Sequence, residues 1–216
     1  YIIYIVNYKE AILSKCYIIA GGEFDGFFDE ITKDDLLIAA DKGYEYVKME
    51  HLRADIIIGD FDSTNEPKLE NVIKLSPIKD DTDTKSAMKI ARDRGYKEII
   101  IYGGLGGRES HTISNIRNAL EFKKSGVDVR IKSKDKEVFI VEDELSYKIE
   151  DKDDFYVSIF SLSEIAKGLT IKGLYYELDN YDMAIANSLG VSNETCGKDF
   201  KISVKDGYLL VLFEKK

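Results

Sequence analysis

The alternation of short apolar runs with helical patterns, over roughly the first 133 residues, most constrains how this 216-residue chain can fold. The runs are CYIIA (16–20), LLIAA (36–40), DIIIG (55–59), NVIKL (71–75), EIIIYG (98–103) and VDVRI (127–131). Unbroken apolar runs are typical of parallel strands that are covered on both faces. Residues 82–95 and 110–126 have helical spacing, and each stretch closes with glycine. This half therefore predicts an open, mostly parallel α/β sheet.

The pattern changes near SKDKE (133–137), where short aromatic and β-branched runs replace the helical patterns. Turn residues separate these runs, and Asp206-Gly207 lies between two of them, which is typical of a hairpin turn. The second half thus reads as an all-β sandwich or barrel-like domain. We predict an α/β domain over residues 1–133, in which 1–15 are an unassigned extension, and an all-β domain over 134–216.

Composition narrows the classes of function. Apolar residues make up 44% of the chain and charged residues 33%, with a net charge of −9. A negative chain is a poor nonspecific binder of nucleic acid, because such binding needs a basic face. No apolar run approaches the length that spans a bilayer, so we expect no membrane segment. Cys16 and Cys196 make no CxxC motif, which favours two free buried thiols in a reducing cytoplasm over one long-range disulfide.

Glycines and carboxylates follow consecutive strands of the predicted sheet. These residues are Gly21-Gly22, Asp41-Lys42-Gly43, Gly59 to Ser63, Lys79 to Asp83, and Gly103 to Arg108. Turns alone favour Gly and Asp, so each site by itself has an ordinary structural explanation. In an open α/β sheet, however, ligands bind beyond the carboxyl ends of the strands. Together the sites predict a binding cleft at this edge.

Two acidic pairs are candidate metal ligands. Asp60 and Asp62, two positions apart after a buried strand, form an oxygen-rich pair that suits Mg²⁺, and helix capping is the alternative. Asp80 and Asp83 are either a second acidic pair or acids that the dipole of the following helix stabilises. The two pairs together favour a metal site.

The segment GGLGGR (103–108) is a candidate phosphate cradle. Glycines that open a helix let backbone N–H groups approach phosphate, and Arg108 adds a fork of donors. The segment lacks the GK[ST] ending of a Walker A loop, and an ordinary tight turn with a surface arginine is the alternative. Acidic metal ligands, a glycine cradle and an arginine are what phosphoryl transfer requires of a protein.

In this order and spacing, ADKGY, IIGDFDS, KDDTDTKSA and GGLGGRESHTISNI resemble the thiamine pyrophosphokinase family, and GLTIKGLYYEL with SLGVSN resembles its C-terminal β domain. The resemblance covers roughly residues 16–214. It implies an α/β domain followed by a β-sandwich, in a homodimer whose active site is shared between chains. The implied reaction transfers diphosphate from ATP to the hydroxyl of thiamine with Mg²⁺, giving thiamine diphosphate and AMP.

The resemblance also implies roles for individual residues. The implied metal ligands are Asp60, Asp62, Asp80 and Asp83, and the implied catalytic residues are Asp60, Asp62, Asp83 and Arg108. The implied ATP- and phosphate-binding residues are Gly21, Gly22, Asp41, Ser63, Lys79, Gly104, Gly106, Gly107 and Arg108. The implied thiamine-binding residues are Asp80, Ser192 and Asn193, the last two facing thiamine across the dimer interface. Tyr175 and Tyr176 also equip the β domain better than the α/β cleft for a flat thiamine.

The sequence departs from the family pattern at two positions. Ser110 stands where the family usually has Asp, and Lys42 stands within the first motif where the family usually has Gly. The change at 110 removes one charge, which Glu109 could replace. Two alternatives therefore stay open: a non-catalytic thiamine- or nucleotide-binding protein, and a related phosphotransferase that acts on another small alcohol.

Overall fold

The structure, a computed structural model, describes residues 14–59, 72–74, 81–150 and 154–216. Its first half confirms the predicted strand–helix alternation. The strands are β1 (Cys16–Ile19), β2 (Leu36–Ala40), β3 (Ile56–Gly59), β4 (Val72–Lys74), β5 (Glu98–Tyr102) and β6 (Asp128–Lys132). The helices are α1 (Gly43–Met49), α2 (Asp83–Asp93) and α3 (Glu109–Lys124). All pairings among these strands are parallel.

The second half consists of antiparallel strands. They are β7 (Lys136–Val141), β8 (Glu144–Tyr147), β9 (Phe155–Ser161), β10 (Ile165–Lys172), β11 (Leu178–Ala184), β12 (Asn193–Glu194), β13 (Phe200–Ser203) and β14 (Leu209–Lys215). A ten-stranded sheet runs in the order β12-β9-β14-β7-β6-β5-β1-β2-β3-β4, and a four-stranded sheet in the order β11-β10-β13-β8. The fold class is therefore confirmed. The larger sheet also continues across residue 133, because β7 pairs with β6.

The parallel strands are covered on both faces, as their unbroken apolar runs predict. On one face, residues such as Ile18, Ile38 and Ile101 pack with α2 and α3. On the other face, residues such as Ile19 and Tyr102 pack with α1 and with the segment that precedes β2. Successive side chains of a strand alternate between faces, so each run must be apolar throughout to supply both cores.

The β-sandwich forms where the antiparallel end of the large sheet faces the four-stranded sheet. Val157, Ile159 and Phe213 from the large sheet meet Leu169 and Ile202 from the small one in a single buried cluster. Aromatic residues are frequent in this half because they pack in that core. The centroid of the Phe213 ring lies 5.1 Å from that of Phe139 and 5.6 Å from that of Phe200.

Two local predictions for the second half are wrong. Asp206-Gly207 does not join a hairpin, because β13 pairs with β8 and β10 whereas β14 pairs with β7 and β9 in the other sheet. The turn instead carries the chain from one layer of the sandwich to the other. Both cysteines are free, but Cys196 is exposed rather than buried. No helix in the described part of the chain is long and apolar enough to cross a membrane.

Gly43, the first residue of α1, fixes how closely that helix approaches the sheet. A Cβ atom at this position would lie 1.9 Å from the Ile19 carbonyl oxygen at the end of β1. The obstacle is backbone, which has no alternative rotamer, so the helix would have to move.

We expect Gly43→Ala to lower the free energy of unfolding by at least about 3 kcal/mol, the upper range for overpacking a core. Gly95→Ala is the control, since Gly95 also lies at a helix end, just after α2, but has φ +92° and open space around it. There only backbone strain of about 1–2 kcal/mol applies. Urea unfolding of both variants measures the difference, and equal losses would show that α1 tolerates displacement.

Candidate active site

A cleft of about 580 Å³ lies at the carboxyl ends of β1, β2 and β5, where α2 and α3 begin. Its lining is mostly glycine, hydroxyl and charged side chains. The lining residues are Ala20, Gly21, Gly22, Glu23, Asp41, Lys42, Tyr46, Thr82, Asp83, Thr84, Gly103, Gly104, Gly106, Gly107, Arg108, His111 and Asn115. The binding cleft predicted from the strand ends therefore exists in the described part of the chain.

The floor of the cleft is bare main chain. A Cβ atom at Gly22 would lie 2.4 Å from the Gly103 carbonyl oxygen, and one at Gly103 would lie 2.4 Å from the Ala20 carbonyl oxygen. Gly103 also has φ +64°, in the region that favours glycine. Only glycine at these positions lets the ends of β1 and β5 meet, and their contact leaves main-chain groups open to a ligand.

One wall of the cleft is an ordered aromatic stack. The Tyr46 hydroxyl donates to the Gly22 carbonyl at 3.0 Å, and the Tyr46 ring stacks on Phe24 with 4.7 Å between centroids. The Lys42 ammonium lies 5.4 Å from the centroid of the Tyr46 ring. Helix α1 and the segment after β1 are thereby tied together, with a cation held at the rim.

A second tie fastens the segment after β1 to the sheet. The buried Tyr102 hydroxyl donates to the Asp29 carboxylate at 2.5 Å, and the Lys132 ammonium donates to the same carboxylate at 2.7 Å. Burial, reinforced by the Asp29 charge, raises the pKa of Tyr102 above its ordinary value. The hydroxyl therefore stays protonated as a donor, and the wall of the cleft is anchored to the ends of β5 and β6.

The acids at the start of α2 divide into two roles. Thr82 caps the helix by accepting a hydrogen bond from the Lys85 backbone N–H at 3.2 Å, and Asp83 follows it into the cleft. Asp81 instead makes ion pairs with Lys89 and Lys85. The hydrogen bond from Lys89 holds the pKa of Asp81 below its usual value. Asp81 is thus a structural acid, whereas Asp83 lines the cleft.

The start of α3 presents one helical face to the cleft. Arg108 at the N-cap, His111 and Asn115 lie three or four residues apart and all line it. Arg108 makes no ion pair with any carboxylate of the described residues. Glu109 and Ser110 are exposed and are absent from the lining, so compensation of Ser110 by Glu109 stays a prediction.

The predicted metal- and ATP-binding residues fall into two groups. Those that the structure brings together in the cleft are Gly21, Gly22, Asp41, Asp83, Gly104, Gly106, Gly107 and Arg108. Those that lie outside the described residues are Asp60, Asp62, Ser63, Lys79 and Asp80. Among the described residues there is no group of three His, Cys, Asp or Glu side chains that could hold a metal ion.

Several cleft residues were not predicted from the sequence. Glu23, Tyr46, Thr84 and Asn115 line the cleft although the sequence analysis assigned none of them a role. Asn115 does have a signal, because it lies two helical turns after Arg108. Helical spacing from this predicted ligand-binding residue would have indicated it.

Ser192 and Asn193 do not line this cleft within one chain. The Asn193 side chain is buried and engaged: its Oδ1 accepts from the backbone N–H of Tyr176 at 2.9 Å and of Glu194 at 2.8 Å, and its Nδ2 donates to the Tyr176 carbonyl at 2.7 Å. It thereby orders the turn that exposes Tyr175 and Tyr176. Ser192 is exposed, with φ +55°.

Comparison with known proteins gives matches over both halves of the chain. The family model "Thiamin pyrophosphokinase, catalytic domain" matches residues 27–131, and "Thiamin pyrophosphokinase, vitamin B1 binding domain" matches residues 146–209. The thiamine pyrophosphokinase of Bacillus subtilis (strain 168) is 30% identical over 213 residues, covering 90% of this chain and 96% of that protein.

Solved structures agree with these matches. The crystal structure of thiamine pyrophosphokinase from Bacillus subtilis aligns with a TM-score of 0.83 and 25% identity, covering 94% of this chain and all (100%) of that one. A thiamin pyrophosphokinase family protein from Enterococcus faecalis aligns with a TM-score of 0.82 and 25% identity, over 94% and 100% of the two chains.

We expect Asn193→Ala to lower the free energy of unfolding by about 2 kcal/mol, because it leaves part-buried main-chain groups of the tyrosine turn without partners. Ser192→Ala should change it by less than about 0.5 kcal/mol, since the hydroxyl is exposed. Urea unfolding compares the two neighbours directly. An Asn193→Ala chain as stable as Ser192→Ala would show that the turn does not depend on this amide.

Proposed function

This chain belongs to the thiamine pyrophosphokinase family, and we propose that it transfers diphosphate from ATP to the hydroxyl of thiamine, releasing AMP. Membership of this family indicates that the chain forms thiamine diphosphate from thiamine with ATP. The observation that best supports diphosphate transfer with release of AMP is the cleft itself, in which a glycine loop, Arg108 and the Asp83 carboxylate meet at one sheet edge.

The cleft suits a polyphosphate for electrostatic reasons. The glycine loop offers main-chain N–H groups at the start of α3, where the helix dipole also favours negative charge. Arg108 at the start of α3 and Lys42 at the start of α1 supply formal positive charge to the lining. Fixed donors that are aimed at a transferring phosphoryl group stabilise charge without reorganising during the reaction.

We propose Mg²⁺ as the cofactor, held by Asp60, Asp62, Asp80 and Asp83. Of these, Asp83 lies in the described part of the chain, where it faces the cleft beside the Thr82 cap. A carboxylate there fits a hard cation that prefers oxygen ligands and retained waters. When bound, Mg²⁺ neutralises charge on the attacked phosphate and on the leaving AMP.

The proposed catalytic and binding residues follow the same division. Asp60, Asp62, Asp83 and Arg108 are the proposed catalytic set. The proposed contacts to ATP are the cleft residues Gly21, Gly22, Asp41, Gly104, Gly106 and Gly107, together with Ser63 and Lys79. We also propose that residues 1–133 and 134–216 are the ATP-binding and thiamine-binding domains, and that the enzyme works in the cytoplasm, where its free thiols would persist.

Product analysis tests the reaction. The protein is incubated with ATP, Mg²⁺ and thiamine, and the nucleotide and thiamine products are separated by chromatography. The proposal requires AMP and thiamine diphosphate in equal amounts. Formation of ADP would indicate an ordinary phosphotransferase, and binding of thiamine or ATP without turnover would indicate a non-catalytic binding protein.

Asp83 and Asp81 provide a matched pair within that assay. We expect Asp83→Asn to lower kcat at least about 100-fold at saturating Mg²⁺, because a cleft carboxylate is lost. Asp81→Asn should keep kcat within twofold and lose about 0.5 kcal/mol of stability, as for an exposed ion pair. Equal activity of the two variants would remove Asp83 from the catalytic set.

We propose that thiamine binds between two chains of a homodimer, against Ser192 and Asn193. Among the described residues, the cleft of one chain offers one aromatic ring stack, that of Tyr46 on Phe24. Tyr175 and Tyr176, in contrast, are 67% and 63% exposed in the β-sandwich half. Exposed aromatic side chains beside an ordered polar turn suit a flat, partly polar ligand. A shared site would bring this surface of one chain to the phosphate cleft of another.

Subunit complementation tests the shared site. Asp62→Asn removes a proposed metal ligand, and Ser192→Lys places positive charge and bulk where the cationic thiamine ring would lie. Each variant alone should have under about 1% of wild-type activity. Unfolding and refolding the two together in equal amounts should recover about a quarter of wild-type activity per chain. About half of the dimers are then mixed, and one of the two sites of each mixed dimer has both residues intact.

Light scattering should find a dimer in every sample. Mixed dimers, verified with differently tagged chains, that stay inactive would contradict a shared site, and a monomeric active wild type would contradict the dimer.

A further inference from the structure

The glycine loop after β5 is held by its carbonyl groups. The carbonyl oxygens of Tyr102, Gly103 and Leu105 accept from the backbone N–H groups of Ala20 at 2.8 Å, Gly22 at 2.9 Å and Glu23 at 3.2 Å, respectively. The carbonyl between them, that of Gly104, accepts from the side chain of Asn115 at 2.8 Å. Every carbonyl from 102 to 105 thus has a partner.

The N–H groups of the same loop behave in the opposite way. Those of Leu105, Gly106 and Gly107 donate to no atom of the described residues. Gly106 and Gly107 have φ +71° and +66°, and both line the cleft. With the carbonyls of residues 102–105 held by the protein, the N–H groups that follow them can form an anion-binding concavity.

Asn115 is the one side chain among these anchors. It is 5% exposed, and it stands on α3 two turns beyond Arg108, on the same helical face. The other anchors are main-chain groups, which any sequence would provide. The orientation of the Gly104 peptide therefore depends on a single residue type with an amide donor.

Packing adds a reason why Gly104 needs this anchor. A Cβ atom there would lie 2.7 Å from Ile131 Cγ2 and 2.9 Å from Ile101 Cγ2, so the peptide lies directly on the apolar core. An unpaired carbonyl at that place would carry the cost of desolvation. Without Asn115, the peptide would gain by rotating its oxygen toward the cleft, where water and the ligand lie.

We infer that Asn115 is a positioning residue for the phosphates of the nucleotide. By holding the Gly104 carbonyl, it keeps the N–H groups of the glycine loop aimed at the triphosphate and fixes the loop to the helix that carries Arg108. The inference rests on the proposed use of ATP, and it assigns Asn115 no contact with the reacting atoms.

Asn118 offers a matched control. It lies on the same helix one turn further on, is 7% exposed and does not line the cleft. Its Nδ2 has no hydrogen-bond partner in the described structure, so replacing it removes no hydrogen bond donated by that atom. Asn115→Leu and Asn118→Leu thus make the same chemical change at two buried sites, of which one holds the loop.

The experiment measures binding by calorimetry with Mg²⁺ and a non-hydrolysable ATP analogue, and separately with adenosine. We expect Asn115→Leu to raise the Kd of the analogue at least 10-fold and that of adenosine less than twofold, since adenosine carries no phosphate. Asn118→Leu should leave both values within twofold of wild type. Asn115→Asp, which cannot donate from a carboxylate, should weaken the analogue further than Asn115→Leu does.

Steady-state kinetics supply a second readout. Asn115→Leu should raise the KM for MgATP at least 10-fold while the KM for thiamine stays within twofold. If this variant does not fold, Asn115→Ser removes the same hydrogen bond with less bulk. Unchanged binding of the analogue, or equal losses for analogue, adenosine and thiamine, would overturn the inference. Failure of the wild type to form AMP would instead contradict the proposed function, because the calorimetric comparison does not require turnover.

Discussion

The site depends on contact between bare main chains at the ends of β1, β2 and β5. A Cβ atom added at any of three glycines here would lie within 2.4 Å of a carbonyl oxygen. The glycine and oxygen pairs are Gly22 with Gly103, Gly43 with Ile19, and Gly103 with Ala20. Side chains at any of these positions would separate the strand ends and α1. The glycines therefore do two things at once: they let the α/β core close, and they leave backbone donors uncovered where a charged ligand can reach them.

Polar side chains around this contact differ in what surrounds them. Asp29 is engaged by Tyr102 and Lys132, and Asp81 by Lys85 and Lys89. Asp83 and Arg108 face the cleft. Asp81 and Asp83 lie two residues apart at the start of α2. They differ in surroundings because nearby positions at a helix start point in different directions.

Much of this arrangement could be predicted from the sequence. Parallel strands bring their carboxyl ends to one edge, so glycines and acids that follow such strands must meet, and the cleft residues from Gly21 to Arg108 do so. The prediction of a hairpin at Asp206-Gly207 was wrong because the turn rule considers only local residues. Packing of the two sandwich layers instead decides that β13 and β14 pair with strands of different sheets. The partners of Asn193 and Asn115 lie 17 and 11 residues away, and only the folded chain shows which atoms they meet.

The ten-stranded sheet has a mechanical consequence. From β4 at one edge to β12 at the other, neighbouring strands are joined by hydrogen bonds, and the junction between β6 and β7 has the register Arg130↔Phe139, Ile131↔Val138, Lys132↔Glu137. A continuous sheet of this kind has no crease about which its two ends could swing. This architecture therefore excludes a catalytic cycle in which one domain rotates against the other to close the cleft. Any change of shape around a substrate must come from loops at the rim of the cleft.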